Sequence, residues 1–204
     1  MSDGKVFAGG LAAIGCAALA AFFLFSQGTT QEAQAAEDGP GPNLVIELGG
    51  ASTGTVVIDM LPDVAPQHVE RITTLVNEGA YNGVVFHRVI DGFMAQTGDV
   101  EFGKTGGDTS RAGTGGSSLD NLPAEFSDIN FDRGAVGMAR TNDPNSANSQ
   151  FFIMFAPAPH LNGQYTVIGH VIEGMEAVDA IKKGGGRNGA VTDPDYMANV
   201  TIVE

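Results

Sequence analysis

The sequence predicts a mainly β domain, a closed antiparallel barrel plugged by two helices and preceded by an apolar N-terminal helix. Three observations carry this expectation: many short runs rich in β-branched and aromatic residues, only two later stretches with helical spacing, and one uninterrupted apolar segment near residue 1. Alternating β and α units would need a helix between successive strands, and most of these runs follow one another directly. At 204 residues, 43% of them hydrophobic, the chain can bury one sizeable core, and two full domains would be cramped.

Residues 6–25, VFAGGLAAIGCAALAAFFLF, are twenty uncharged positions. As a helix rising about 1.5 Å per residue they would reach roughly 30 Å, the thickness of a hydrocarbon core. Residues 1–25 are therefore expected to be a membrane anchor. A cleaved signal sequence competes, because Ala33, Gln34 and Ala35 offer small residues at a cleavable spacing. Lipidation of Cys16 is a third reading. Lys5 precedes the segment and the next cation is Arg71, a bias that keeps the amino terminus inside and exports the rest. Residues 26–42, SQGTTQEAQAAEDGPGP, are small, polar and Gly/Pro-rich without apolar periodicity, as a flexible tether requires. The globular domain is expected over residues 43–204.

Within it, NLVIEL and GTVVIDML read as a hairpin joined by residues 49–53. APQHVERITTLVNEGAY follows as one amphipathic helix, with Val69, Ile72, Leu75 and Val76 at helical spacing, Pro66 near the first turn and Gly79 near the end. Strands are expected at VVFHRVI, FMAQTG, AVGMAR, QFFIMF and YTVIGHVI, a second short helix around MEAVDAIKK, and a closing strand at NVTIVE.

Composition and spacing exclude several functions. Ten Lys and Arg against 24 Asp and Glu give a formal charge of −14, which opposes a phosphate backbone, so no nucleic-acid partner is expected. Residues 98–105, GDVEFGKT, fit the nucleotide-binding pattern G-x-x-x-x-G-K-[ST]. That pattern needs a helix beginning at the Lys, and here the Lys precedes TGGDTSRAGTGGSS, with Asp99 and Glu101 beside the would-be anion. No nucleotide is expected. His68, His87, His160 and His170 fall at no metal-ligand spacing, and the single cysteine lies in the apolar segment, so no metal is expected either. G-x-S-x-G is absent.

Two stretches set large apolar residues beside groups of fixed polar valence: YNGVVFHRVIDGFMAQTGD at 81–99 and GMARTNDPNSANSQFFIMF at 137–155. In a strand Phe86 and Arg88 share one face while His87 points to the other. Arg88 is then either a paired structural charge or a working group, and His87 is expected to be a satisfied structural histidine.

Together with HLNGQYTVIGHVIEGMEAVDAI at 160–181, these stretches resemble the cyclophilin family of peptidyl-prolyl cis/trans isomerases, over essentially all of residues 43–204. The resemblance implies an eight-stranded antiparallel barrel closed by two α-helices, with a proline-binding groove on its outer surface. It makes Arg88 the catalytic group and Gln96 the amide that positions it. Phe93, Met94, Phe152 and Leu161 match the proline pocket, and Ala139, Arg140, Gln150, His160 and Tyr165 match further groove positions. His160 stands where many eukaryotic members carry Trp, which implies weak cyclosporin inhibition. Tyr165 replaces a groove His, as is similar to bacterial members, Arg140 stands where Asn is common, and Asn148 replaces a Gly whose turn Asn can tolerate by adopting positive φ.

The resemblance further implies proline-containing polypeptide clients; no cofactor is expected, since isomerisation breaks no bond, and export by the apolar segment makes envelope proteins the expected folding clients. The expected place is the periplasmic side of the inner membrane, anchored N-terminally, or the soluble periplasm after cleavage. A proline-recognising binding module or accessory subunit of a membrane assembly is the alternative that keeps the same fold.

Overall fold

The computed structural model describes residues 37–204. The expected anchor or signal at 6–25 and most of the tether lie outside the described residues. Among those described, no helix is long and apolar enough to cross a membrane.

Strands β1 (Asn43–Gly49) and β2 (Gly54–Met60) pair antiparallel. Their alternate residues Leu44, Ile46 and Leu48, and Val56, Ile58 and Met60, point into the core. Helix α1 (Pro66–Asn77) covers that core with Val69, Ile72, Leu75 and Val76. Pro66 sits where its missing N–H costs nothing. The amino end has no cap of its own. Glu125 serves instead from a distant loop, accepting from the Gln67 and His68 amides at 3.2 Å each and contacting His68 Nδ1 at 2.6 Å. At the other end Gly79 (φ 68°) donates to the Val76 carbonyl and Ala80 to the Leu75 carbonyl, both at 2.8 Å, a Schellman stop.

The remaining strands are β3 (Val84–Val85), β4 (Arg88–Ile90), β5 (Met94–Thr97), β6 (Ala135–Met138), β7 (Phe151–Met154), β8 (Val167–Glu173) and β9 (Tyr196–Val203). A 3-10 turn (Pro159–Leu161) precedes β8, and a short helix α2 (Met175–Ala180) follows it.

The expected closed eight-stranded barrel is corrected here. The described strands form one nine-stranded sheet in the order β3-β9-β1-β2-β8-β6-β7-β5-β4, all pairs antiparallel, with no ladder joining β3 to β4. The run VVFHRVI is two strands because its backbone changes partners: the Phe86 amide donates to Asp195 and the Val89 amide to Gly189, each at 2.8 Å. Phe86 and Arg88 therefore do not share a face. Phe86 is buried in the core and Arg88 lines a surface cavity.

The loop at 98–105 folds around a carboxylate. Amides of Glu101, Phe102, Gly113 and Gly115 converge on Asp99 at 3.1, 2.9, 2.7 and 2.8 Å, so the donors a phosphate would need are already taken. Lys104 opens no helix; it bridges to Val84, and its Nζ donates to the Ala80 and Asn82 carbonyls.

Candidate active site

Register builds the site. Arg88 of β4 lies opposite Gln96 of β5, Gln96 opposite Phe152 of β7, and Phe152 opposite Gly137 of β6. Cross-strand partners share a face. The next row, Val89, Ala95, Ile153 and Val136, points into the main core, so the Arg88 row points away from it. Phe152 and Met154 join a second apolar cluster with Met94, Phe131 and Leu161, onto which Phe93, Ala139 and Tyr165 pack. Gly137 makes room for that cluster. A Cβ there would stand 2.5 Å from Phe131 and 2.6 Å from Phe152, whose rings stack with centroids 5.6 Å apart.

A polar chain crosses the same row. Arg88 Nη1 donates to Gln96 Oε1 at 3.1 Å, Gln96 Nε2 to Gln150 Oε1 at 2.9 Å, and Gln150 Nε2 to the Gly115 carbonyl at 2.8 Å. Arg88 Nε donates to the Asn188 carbonyl at 3.0 Å. Among the described residues Nη2 has no hydrogen-bond partner and no carboxylate pairs with the guanidinium. Burial lowers the Arg88 pKa from its ordinary value, with Tyr165 opposing. A guanidinium titrates so high that the group stays cationic. The result is a held, unneutralised charge with one face open.

Arg88 and Gln96 line a cavity of about 190 Å³ with Phe93, Met94, Phe152 and Leu161, and Ala139, Arg140 and Tyr165 complete its lining. Gln150 lines a second cavity of about 350 Å³, which shares Gln96, Ala139 and Arg140 with the first. His160 lines neither; it is exposed and stacks on Phe93 with centroids 5.8 Å apart. Sequence reasoning missed Asn188, which orients Arg88 through a carbonyl, and Phe131, which backs Phe152. A backbone acceptor 100 positions away leaves no signal in residue type.

His87 is not the satisfied histidine expected. Both ring nitrogens are buried without a hydrogen-bond partner. The nearby Val85 carbonyl accepts from Thr97 Oγ1 at 2.9 Å. Burial pushes the His87 pKa down to about 4, against the opposing charge of Asp99. The unfolded chain therefore takes up a proton near pH 6.5 that the native state refuses. Stability from this group is full above that pH and falls as pH drops toward about 4, by about 2 kcal/mol between pH 7.5 and 5. Urea denaturation at the two pH values checks this, with His87→Gln expected to lose most of the difference attributable to His87.

Asn148 has no positive φ; among the described residues Asp193 alone of the non-glycines does. Its side chain is what matters: Oδ1 accepts from the Ser117 amide and hydroxyl at 2.7 Å each, and Nδ2 donates to the Leu119 carbonyl at 2.9 Å. Among the described residues no group of three His, Cys, Asp or Glu is placed to hold a metal ion.

Residues 44–204 match the family model described as cyclophilin type peptidyl-prolyl cis-trans isomerase. The chain belongs to the cyclophilin family. The cyclophilin relatives include a "Probable peptidyl-prolyl cis-trans isomerase" of Brucella suis biovar 1, 57% identical over 91% of this chain and 93% of that one. They also include "Peptidyl-prolyl cis-trans isomerase-like 3" of Rattus norvegicus, 41% identical over 64% of this chain and 77% of that one. Among solved cyclophilins, AquaCyp293 from Hirschia baltica has a TM-score of 0.65 at 25% identity, covering 81% of this chain and 75% of its own. A Cryptosporidium parvum cyclophilin type peptidyl-prolyl cis-trans isomerase, solved in the presence of the dipeptide Ala-Pro, has a TM-score of 0.67 at 25% identity, covering 79% and 99%.

Proposed function

We propose that this cyclophilin accelerates cis/trans isomerisation of X-Pro bonds without covalent chemistry, Arg88 stabilising the twisted amide. The observation that carries the reading is the cationic guanidinium held by Gln96 and Asn188, its Nη2 uncommitted, in a cavity that Phe93, Met94, Phe152 and Leu161 also line. Family membership supports the activity, and the relative solved with Ala-Pro supports a proline-containing peptide as substrate.

Peptide rotation is slow because resonance gives the C–N bond double-bond character, a barrier of about 18–20 kcal/mol. For X-Pro the isomers differ by only about 0.5–1 kcal/mol, so the problem is kinetic. At the twisted transition state the prolyl nitrogen loses resonance and gains a usable lone pair. A fixed N–H aimed there stabilises that geometry more than the planar ground state. Phe93, Met94, Phe152 and Leu161 would grip the ring while one side of the bond turns, and Gln96 would hold Arg88 in direction. A thousandfold to ten-thousandfold acceleration needs roughly 4–6 kcal/mol, within reach of one charge-assisted hydrogen bond plus orientation.

The apolar segment at 6–25, with Lys5 before it and no further cation until Arg71, supports export and anchoring on the periplasmic side of the inner membrane, with envelope proteins as clients. If the segment is cleaved, the domain is soluble in the same compartment. Intact mass of membrane-extracted protein separates the two. The activity is tested by exchange NMR on an Ala-Pro peptide, where the full-length protein is expected to speed isomerisation at least about a thousandfold over the spontaneous rate. No acceleration would leave a proline-binding module.

A further inference from the structure

Arg140 follows β6 at the junction of the two cavities and is the charged residue common to both. Its side chain is fixed on neutral partners. Nε and Nη2 donate to the Gln164 carbonyl at 3.2 and 2.8 Å, Nη1 donates to the Thr141 carbonyl at 2.9 Å, and the guanidinium lies 4.3 Å from the Tyr165 ring centroid. These contacts use three of its five N–H groups. Among the described residues no carboxylate pairs with it.

We propose that Arg140 is a specificity-determining cation, favouring clients that carry Asp or Glu within two residues of the isomerising proline. The inference rests on the isomerase reading. A proline ring in the smaller cavity would set neighbouring residues, stepping about 3.3 Å each along an extended chain, beside the larger one. Beyond Arg88, which faces the proline itself, the charge reached next is Arg140, because Glu101 lines only the larger cavity. Held by three hydrogen bonds to two carbonyls and by an aromatic face, the guanidinium pays little further ordering entropy to meet a carboxylate. The net charge of −14 repels acidic chains from afar, but screening over about 8 Å at physiological salt leaves the local cation in control once a client is seated. Such a contact exists before and during rotation alike, so it should lower KM and leave kcat nearly unchanged.

The test uses full-length protein in detergent and single-proline peptides with Glu, Gln or Lys at each of the two positions before and after proline. Exchange NMR gives kcat/KM for each. At one position or more the Glu-to-Lys ratio is expected to be about threefold to tenfold, carried by KM, and to fall toward one in 0.5 M salt. Arg140→Gln should abolish the preference and Arg140→Lys should keep its sign. Because each ratio is taken within one enzyme, a general loss of activity in a variant does not mimic the result. Should Arg140→Gln fail to fold, the wild-type ratio and its salt dependence decide alone. A ratio near one at every position, or a preference that survives Arg140→Gln, would overturn the proposal. Failure to accelerate any peptide would instead sink the isomerase reading beneath it.

Discussion

Arg88→Ala is expected to lower kcat/KM on an Ala-Pro peptide by about two to three decades, roughly 3–4 kcal/mol of transition-state stabilisation. The loss should fall mainly on kcat, because the lone pair that Arg88 meets develops only as the bond twists. The fold should survive. Arg88 is half-buried with no carboxylate partner among the described residues, and its removal leaves the Gln96 amide oxygen and the Asn188 carbonyl facing an open groove. Arg88→Lys is expected to recover little, since an ammonium cannot bond the Gln96 side chain and the Asn188 carbonyl while aiming a third donor in a fixed plane. Circular dichroism and thermal unfolding check the fold, and exchange NMR checks the rate. An alanine variant that keeps a third of wild-type activity would remove Arg88 from the mechanism.

The strands that carry the groove were legible because their faces differ chemically. In QFFIMF, Phe151 and Ile153 enter the main core while Phe152 and Met154 enter the outer cluster, and period-two alternation requires that split once a strand is assumed. The helix at Pro66–Asn77 was equally plain from Val69, Ile72, Leu75 and Val76. The break in VVFHRVI was not legible. Every residue there suits a strand, and the interruption is imposed by backbone acceptors on Asp195 and Gly189, far along the chain. The same limit applies to Arg88. Residue type cannot say whether an arginine in a strand is paired or working; that distinction rests on the Asn188 carbonyl and on the absence of a carboxylate among the described residues. His87 illustrates the opposite error. Burial was foreseeable from its apolar neighbours, but residue type does not say whether the buried ring nitrogens meet a hydrogen-bond partner.

Asp195→Ala should be strongly destabilising, by about 2–3 kcal/mol in denaturant titration. The carboxylate is buried, and it accepts the Ala51 amide at 2.7 Å, the Ser52 amide at 3.0 Å and the Lys182 amide at 2.9 Å. It thereby ties the β1–β2 turn to the segment after α2, while its own carbonyl holds Phe86, two residues before Arg88. Alanine leaves three donors without their acceptor, and the cost, about 1–3 kcal/mol for a donor that water cannot reach, falls chiefly on the buried Ser52 amide, Ala51 and Lys182 being exposed residues. Asn is expected to recover only part, because an amide that keeps one oxygen for Ala51 and Ser52 presents its own N–H groups to Lys182. Burial alone would raise the Asp195 pKa, but the hydrogen bonds from Ser52, Lys182 and Ala51 outweigh it and hold the value below the ordinary carboxylate range. With the folded value depressed, the contribution is complete above the unfolded value of about 3.9 and is lost as pH falls through the folded one. The stability gap between wild type and Asp195→Ala should therefore stay constant from about pH 5 to 8 and narrow below about pH 4. A gap under about 1 kcal/mol at neutral pH would mean that the three amides find other partners, and that the turn does not depend on this carboxylate.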